Sequence, residues 1–204
     1  MNFSLVIPIY NEEGSILKLI EEINNTQTNT YEIVIVNDGS TDKSDYIINN
    51  FLKRYTNNIK YIKHKENCGQ SLALVTGIKN SKYKTIVTMD GDGQNDPSDI
   101  ANLLNLYNKN NYGLIGGLRL KRKDKINKII ASKIANYLRK KILNDDCDDT
   151  GCSLKVFSKD VFMKLPVFDG MHRYLPALFK SFGSKCYFIE VNHRKRIKGK
   201  SNYG

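Results

Sequence analysis

Over its first 116 residues the chain alternates short β-rich runs with longer stretches whose apolar residues recur at helical spacing, and few folds satisfy that rhythm. Residues 3–9, 31–36, 59–62, 83–89 and 112–116 read as strands; 12–24, 42–55, 70–80 and 97–109 read as helices between them. A helix crossing between two strands leaves them running the same way, so the order predicts an α/β domain with a mostly parallel central sheet flanked by helices. Ser40 or Thr41 is placed to cap the second helix. Pro97 is placed to open the fourth, because the first helical turn leaves its missing N–H unused.

In open sheets of this kind ligands bind beyond the carboxyl ends of the strands, and three polar turns fall there. Asp90, Asp92, Gln94 and Asp96 follow the apolar Ile86, Val87 and Met89. Several oxygen ligands so close together suit a hard cation such as Mg2+ or Mn2+, which accepts one or two protein carboxylates and lets substrate phosphates complete its shell. An Asp/Gly-rich turn gives the same spacing with no ion, and no glutamate stands where an EF-hand starting at Asp90 needs one. The other two turns are Pro8-Ile9-Tyr10-Asn11-Glu12-Glu13 and Asn37-Asp38-Gly39-Ser40-Thr41-Asp42. Each alone reads as an ordinary strand end or a turn with a helix cap. Together they make room for a nucleotide, with Asp38 accepting from base or ribose, Tyr10 packing on the base and the ion holding a diphosphate. Neither G-x-G-x-x-G nor G-x-x-x-x-G-K-[ST] occurs, so phosphate charge has to be met by a metal rather than by a glycine-rich loop.

After Gly117 the pattern changes. Ile126, Ile129, Ile130, Ile134, Tyr137, Leu138 and Ile142 recur at helical spacing, while Lys125, Lys128, Ser132 and Arg139 share a separate edge. An acidic turn (Asp145, Asp146, Asp148, Asp149), a strand at 153–157, a helix near 173–182 and a strand at 185–191 follow, and the basic stretch ending at Gly204 reads as an interrupted C-terminus. The length supports one domain.

Net charge of +11 is concentrated in two places, with ten Lys/Arg against one acid over 119–141 and five against none over 191–204. Such patches suit a polyanion: nucleic acid, an anionic membrane surface or a phosphorylated substrate. A solvated helix face is the ordinary reading of the first patch, but the serine within it favours an oxyanion cradle. Basic residues are not interleaved with aromatics in the RNP manner, which disfavours nucleic acid. Cys68, Cys147, Cys152 and Cys186 lack zinc-finger or disulfide spacing and read as reduced cytosolic thiols; His64, His172 and His193 are too scattered for a local metal motif. No apolar stretch approaches the roughly 18 residues that span a bilayer, and the first eight residues lack a basic leader.

The segments Ser4-Leu5-Val6-Ile7-Pro8-Ile9-Tyr10-Asn11-Glu12-Glu13, Val36 to Asp42, Asn67-Cys68-Gly69-Gln70 and Met89 to Gln94 resemble the family 2 glycosyltransferases of the GT-A fold, in the polyprenyl-phosphate (dolichol-phosphate mannosyltransferase-like) branch. The likeness continues through Asp149-Thr150-Gly151-Cys152, Met171 to Pro176 and Asn192 to Arg196 as far as Ser201, covering essentially the whole chain. It implies a single Rossmann-like domain, with a nucleotide-sugar-binding half at 1–118 and an acceptor-binding half at 119–204. It implies a UDP- or GDP-hexose donor held by Pro8, Tyr10, Glu12, Asp38, Gly39, Gln70 and Asp90, a metal on Asp92 and Gln94, and an acceptor phosphate gripped by Arg119, Lys128, Ser132, Arg173 and Lys200. Lys128 stands where relatives can carry arginine, trading a bidentate fork for a point charge. Asp90, Asp92, Asp149 and Arg196 are the residues implied in catalysis, with Arg196 and Lys200 on a basic segment closing over the diphosphate.

The expected reaction is a single displacement with inversion, in which a polyprenyl phosphate takes the hexose at the cytoplasmic face of a membrane that the protein touches peripherally. Relatives of this branch often continue into membrane helices, and this chain shows none. A glycan hydroxyl acceptor, with Asp149 as general base, is the alternative. A non-catalytic basic nucleotide- or nucleic-acid-binding module is a more distant one.

Overall fold

The computed structural model describes residues 2–28, 30–54, 58–119, 143 and 147–196. Seven strands form one sheet: β1 (Phe3–Ile9), β2 (Tyr31–Asn37), β3 (Ile59–Lys63), β4 (Thr85–Thr88), β5 (Leu114–Leu118), β6 (Lys155–Ser158) and β7 (Cys186–Glu190). Their order is β3-β2-β1-β4-β6-β5-β7. All neighbours pair in parallel except β6, which lies antiparallel between β4 and β5. The sheet is therefore mostly parallel, as the alternating pattern predicts.

The helices are α1 (Ile16–Thr26), α2 (Ser44–Leu52), α3 (Gln70–Lys79), α4 (Asp99–Lys109), α5 (Lys159–Phe162) and α6 (Leu175–Ser181), with a 3-10 turn at Met171–Arg173. All seven residues of β1 are buried, as a central parallel strand covered on both faces requires. Successive side chains serve opposite faces. Leu5 and Ile7 pack with Ile16, Leu19 and Ile20 of α1, Ile48 of α2 and Ile100 and Leu103 of α4. Val6, between them, joins Ala73, Leu74 and Ile78 of α3 and Phe157, Phe162 and Phe179 on the other face.

Helix starts depart from the sequence reading. Helix α1 begins at Ile16 rather than residue 12, because the backbone N–H groups of Ser15 and Ile16 both donate to the Glu12 carbonyl in a tight turn ahead of it. Helix α2 begins at Ser44, and neither Ser40 nor Thr41 caps it. The Ser40 hydroxyl accepts from the Asn11 N–H, and Thr41 donates to the Asn11 side chain. Pro97 lies ahead of α4, which starts at Asp99; the Asp96 carboxylate accepts from the Ser98 N–H. The amphipathic basic segment at 120–142 lies outside the described residues.

Truncating Ile7, fully buried at the sheet's centre, to alanine removes packing on a face that cannot collapse. Ile7→Ala is expected to destabilise the fold by about 2–5 kcal/mol. The exposed Met163→Ala should stay within about 0.5 kcal/mol of the parent in the same urea titration.

Candidate active site

The carboxyl ends of β1, β2 and β4 deliver three turns to one rim of the sheet, and hydrogen bonds clip them together. Asn11 takes a left-handed conformation (φ 58°), which asparagine tolerates better than most residues. Its side-chain oxygen accepts from the N–H groups of Thr41 (2.8 Å) and Asp42 (3.2 Å), locking the first turn onto the second. The Glu12 N–H donates to Ser44 Oγ at 2.9 Å, and Ser15 Oγ donates to the Gly91 carbonyl at 2.9 Å, which ties in the third. Gly39 has φ 69°, and a Cβ there would lie 2.4 Å from the Glu66 backbone, so only glycine lets the 66–67 backbone approach so closely.

Glu12, Asp90 and Asp92 converge on this rim. Burial pushes the Glu12 carboxyl up to about 7, against the pull of Arg196 and Ser15, with the charges of Asp92 and Asp90 adding to the rise. Burial likewise raises Asp90 to about 6, reinforced by Asp92 and opposed by Ser153, Lys155 and Arg119. Arg196 bridges the group, donating to Asp92 Oδ2 at 3.0 Å and standing 3.4 Å from Glu12 Oε1. Crowded carboxylates pushed toward protonation are what a divalent cation relieves. Asp92 and Gln94 supply oxygen ligands of the kind that Mg2+ or Mn2+ prefers, so the residues present fit such an ion.

The segment that carries Arg196 is stitched to the third turn. Asn192 donates from backbone and side chain to Asp99 (2.7 and 3.1 Å), and the Arg194 N–H donates to the Gln94 carbonyl at 2.8 Å. The Arg194 guanidinium meets Glu22 at 2.6 Å and Asp96 at 2.7 Å. Asp96 thus holds this segment and the start of α4.

The remaining residues singled out in the sequence sort clearly. Gln70, first in α3, donates to Asp90 Oδ1 at 2.7 Å and belongs to the rim. Tyr10 is half-buried at the end of β1, whereas Pro8 is buried within the strand opposite Val36 and shapes the rim from below. Asp38 is fully buried and accepts from the N–H groups of Cys68 and Gly69 (both 2.9 Å), with His64 Nδ1 at 2.7 Å. Arg173 is exposed on the 3-10 turn. Lys128, Ser132 and Lys200 lie outside the described residues.

Arg119 and Asp149, thirty residues apart, form a bidentate pair: Nε to Oδ2 at 2.7 Å and Nη2 to Oδ1 at 2.8 Å, with the Arg119 N–H adding 3.1 Å. Burial alone would lower the guanidinium's value, but the Asp149 carboxylate raises it above its ordinary range. So arranged, the Asp149 carboxylate is tied to the Arg119 guanidinium.

Sequence reasoning passed over Lys155, buried on β6, whose ammonium donates to the carbonyls of Thr150 and Cys152 and whose charge acts on Asp90. A lysine between Leu154 and Val156 in an apolar strand was the available signal. Ser153 was passed over too; its hydroxyl accepts from the Asp90 N–H and donates to Asn95. His172, read in the sequence only as too scattered for a metal motif and as part of the Met171 to Pro176 segment, lies 2.8 Å from Ser71 Oγ, and burial, Lys155 and Arg173 together lower it to about 4.

Two measurements probe this architecture. Asp149→Ala strands a buried guanidinium and is expected to destabilise by about 3–5 kcal/mol, whereas Arg119→Met with Asp149→Leu should recover most of that loss in urea unfolding. For Glu12, a folded-state value raised from 4.5 to about 7 means that the folded protein binds the proton more tightly than the unfolded chain. Its contribution is full below 4.5 and is lost as pH rises through 7. The cation-free protein should therefore lose stability across that interval more steeply than Glu12→Gln, and equal slopes would contradict the assignment.

Comparison with known proteins bears on this site. A model of glycosyl transferase family 2 matches residues 4–166. Dodecaprenyl-phosphate galacturonate synthase of Rhizobium johnstonii is 33% identical over 100% of this chain and 62% of its own length. Undecaprenyl-phosphate 4-deoxy-4-formamido-L-arabinose transferase of Photorhabdus laumondii is 32% identical over 98% and 62%. The chain thus spans under two thirds of the length of these relatives. Among solved structures, a mannosyltransferase from Pyrobaculum calidifontis in complex with GDP-Man and Mn2+ superimposes with a TM-score of 0.70 at 17% identity, over 98% of this chain and 58% of that one. Glucosyl-3-phosphoglycerate synthase of Mycobacterium tuberculosis, in complex with Mn2+, UDP and phosphoglyceric acid, gives 0.71 at 18%, over 96% and 71%. With a mostly parallel sheet matching these neighbours and a family match over most of its length, the chain belongs to glycosyl transferase family 2 and has the GT-A fold.

Proposed function

We propose that this protein is a metal-dependent, inverting glycosyltransferase that moves a sugar, a hexose or a close derivative, from a nucleotide donor to a polyprenyl phosphate. The observation that carries the reading is the convergence of Glu12, Asp90 and Asp92 on one rim, bridged by Arg196. Burial still raises Glu12 and Asp90 against the pull of Arg196, Lys155 and Arg119, so the rim calls for added positive charge, and a nucleotide diphosphate with its dication supplies the matching partners. The polyprenyl-phosphate relatives supply the acceptor class.

Asp92 and Gln94 would hold the cation, which when bound neutralises charge on the diphosphate leaving group. Arg196, moving from its carboxylate partners to the phosphates, adds fixed positive charge where negative charge grows. Gln70 orients the Asp90 carboxylate toward the donor's sugar or ribose through its 2.7 Å bond. The nucleoside lies along the first two turns, against Tyr10 and above the Asp38 and Gly39 turn. Arg173, and Lys128, Ser132 and Lys200 beyond the described residues, are the proposed grip on the acceptor phosphate. Arg119 contributes by holding Asp149 and the turn at 149–152.

A phosphate oxygen is already ionised near neutral pH, so attack on the anomeric carbon requires no general base. The engagement of Asp149 by Arg119 agrees with that and tells against a hydroxyl acceptor. Among the described residues no helix is long and apolar enough to cross a membrane. The long apolar tail of a polyprenyl phosphate acceptor supports a working site at a membrane surface, proposed as the anionic cytoplasmic face.

The test is transfer of radiolabelled sugar from UDP- and GDP-sugars, with Mn2+ present, into the organic phase with polyprenyl phosphate. Asp92→Asn is expected to reduce that transfer by about a hundredfold or more. Label found only on soluble saccharides would overturn the acceptor assignment.

A further inference from the structure

We propose that Asp38, His64 and Cys68 form a second metal site, suited to Zn2+ and distinct from the oxygen-only pair Asp92 and Gln94. The ligand atoms of the three residues all lie within 4.8 Å of one another. A tetrahedral zinc with bonds of about 2.0–2.3 Å sets its ligands roughly 3.3–3.8 Å apart, so side-chain adjustments of under an ångström or so close the shell. The donor set is one carboxylate, one imidazole and one thiol. Thiolate sulfur selects zinc-like ions over Mg2+ or Mn2+, so the two sites on this rim differ in hardness and do not compete for one ion.

Three features show the trio held in place. The Asp38 carboxylate is fixed by the N–H groups of Cys68 and Gly69, and its Oδ1 faces His64 Nδ1 at 2.7 Å. The close approach of Gly39 to the Glu66–Asn67 backbone presses the loop carrying Cys68 onto the turn carrying Asp38. The second imidazole nitrogen, His64 Nε2, lies 3.0 Å from Thr76 Oγ1 on α3. A metal-bound histidine characteristically donates its other N–H to an oxygen acceptor, which fixes both tautomer and ring orientation. With Nε2 protonated and donating to Thr76, the Nδ1 lone pair is directed at the metal.

Cys68 is exposed while Asp38 is buried, so the fourth position opens to solvent, where water completes the shell. On binding, the Cys68 thiol gives its proton to solvent, His64 binds through Nδ1 with a proton on Nε2, any proton displaced from Nδ1 goes to solvent, and no oxidation state changes. Asp38 is also assigned above to the donor's nucleoside. Resting on that assignment, zinc occupancy and nucleoside binding exclude each other, which makes the site an inhibitory one.

Cobalt(II) titration of the fully reduced protein carrying Asp92→Asn, which removes the other cation site, tests the proposal without reference to glycosyl transfer. The expected result is one equivalent bound with a sulfur-to-cobalt charge-transfer absorption, discharged by one equivalent of Zn2+. Adding Cys68→Ser, an exposed substitution that leaves folding intact, should abolish the band and weaken binding at least tenfold. Adding Thr76→Val should keep the band and weaken binding about 10–100-fold. Absence of the sulfur band, or undiminished affinity in either variant, would overturn the site. An enzyme that fails to transfer sugar but gives these spectra would overturn the proposed function and leave the metal site standing.

Discussion

Negative charge gathered at the carboxyl end of a parallel sheet is the constraint around which the rest of this structure is arranged. Glu12, Asp90 and Asp92 stand on a rim built from apolar strands, where water is too scarce to solvate three carboxylates fully. Two of them are pushed toward protonation by that burial, and the compensating charges come from distant parts of the chain: Arg196 from beyond β7, Lys155 from β6 and Arg119 from the end of β5. Holding carboxylates in such a place lowers the stability of the cation-free protein, and the same field makes the rim receptive to a divalent ion.

Strand order explains how the later residues reach that rim. Because β6 runs antiparallel between β4 and β5, its N-terminal end lies beside the carboxyl end of β4, in the register Thr88 to Lys155. The residues just before β6 therefore arrive at the turn after β4. Ser153 there accepts from the Asp90 N–H, and Lys155 holds the turn that presents Asp149 to Arg119. Had β6 been parallel, those residues would lie at the opposite end of the strands. One reversed strand thus joins the later half of the chain to the earlier half at the level of single side chains.

The strands were legible in the sequence because a parallel strand buried on both faces is a near-continuous apolar run, as 3–9 and 31–36 are. Helix starts were less legible. Local propensity places a start at residue 12, but the left-handed Asn11 and the long-range Glu12–Ser44 bond hold a turn there, and α1 begins at Ile16. Asp90 and Asp92 were readable from their position after an apolar run, but Glu12 was not read as part of that cluster, and Asp96, which was, pairs with Arg194 instead. The partners that set its chemistry were not, because spacing along the chain carries no sign that Arg196 would reach back across 104 residues to Asp92. Arg119 and Asp149 were each picked out singly, and only the fold shows them to be one unit.

That pairing bears on the proposed acceptor more directly than the crowded carboxylates do. The Asp149 carboxylate accepts two side-chain bonds and a backbone N–H from one arginine, which fixes its geometry. A general base for a sugar hydroxyl needs the opposite: a lone pair aimed at the acceptor and a proton affinity near the working pH. Attack by an ionised phosphate makes no such demand, only that cations hold the phosphate in line with the anomeric carbon. A carboxylate tied up by a guanidinium, as Asp149 is, supports the proposed reading of an acceptor that is an anion to be positioned rather than an alcohol to be deprotonated.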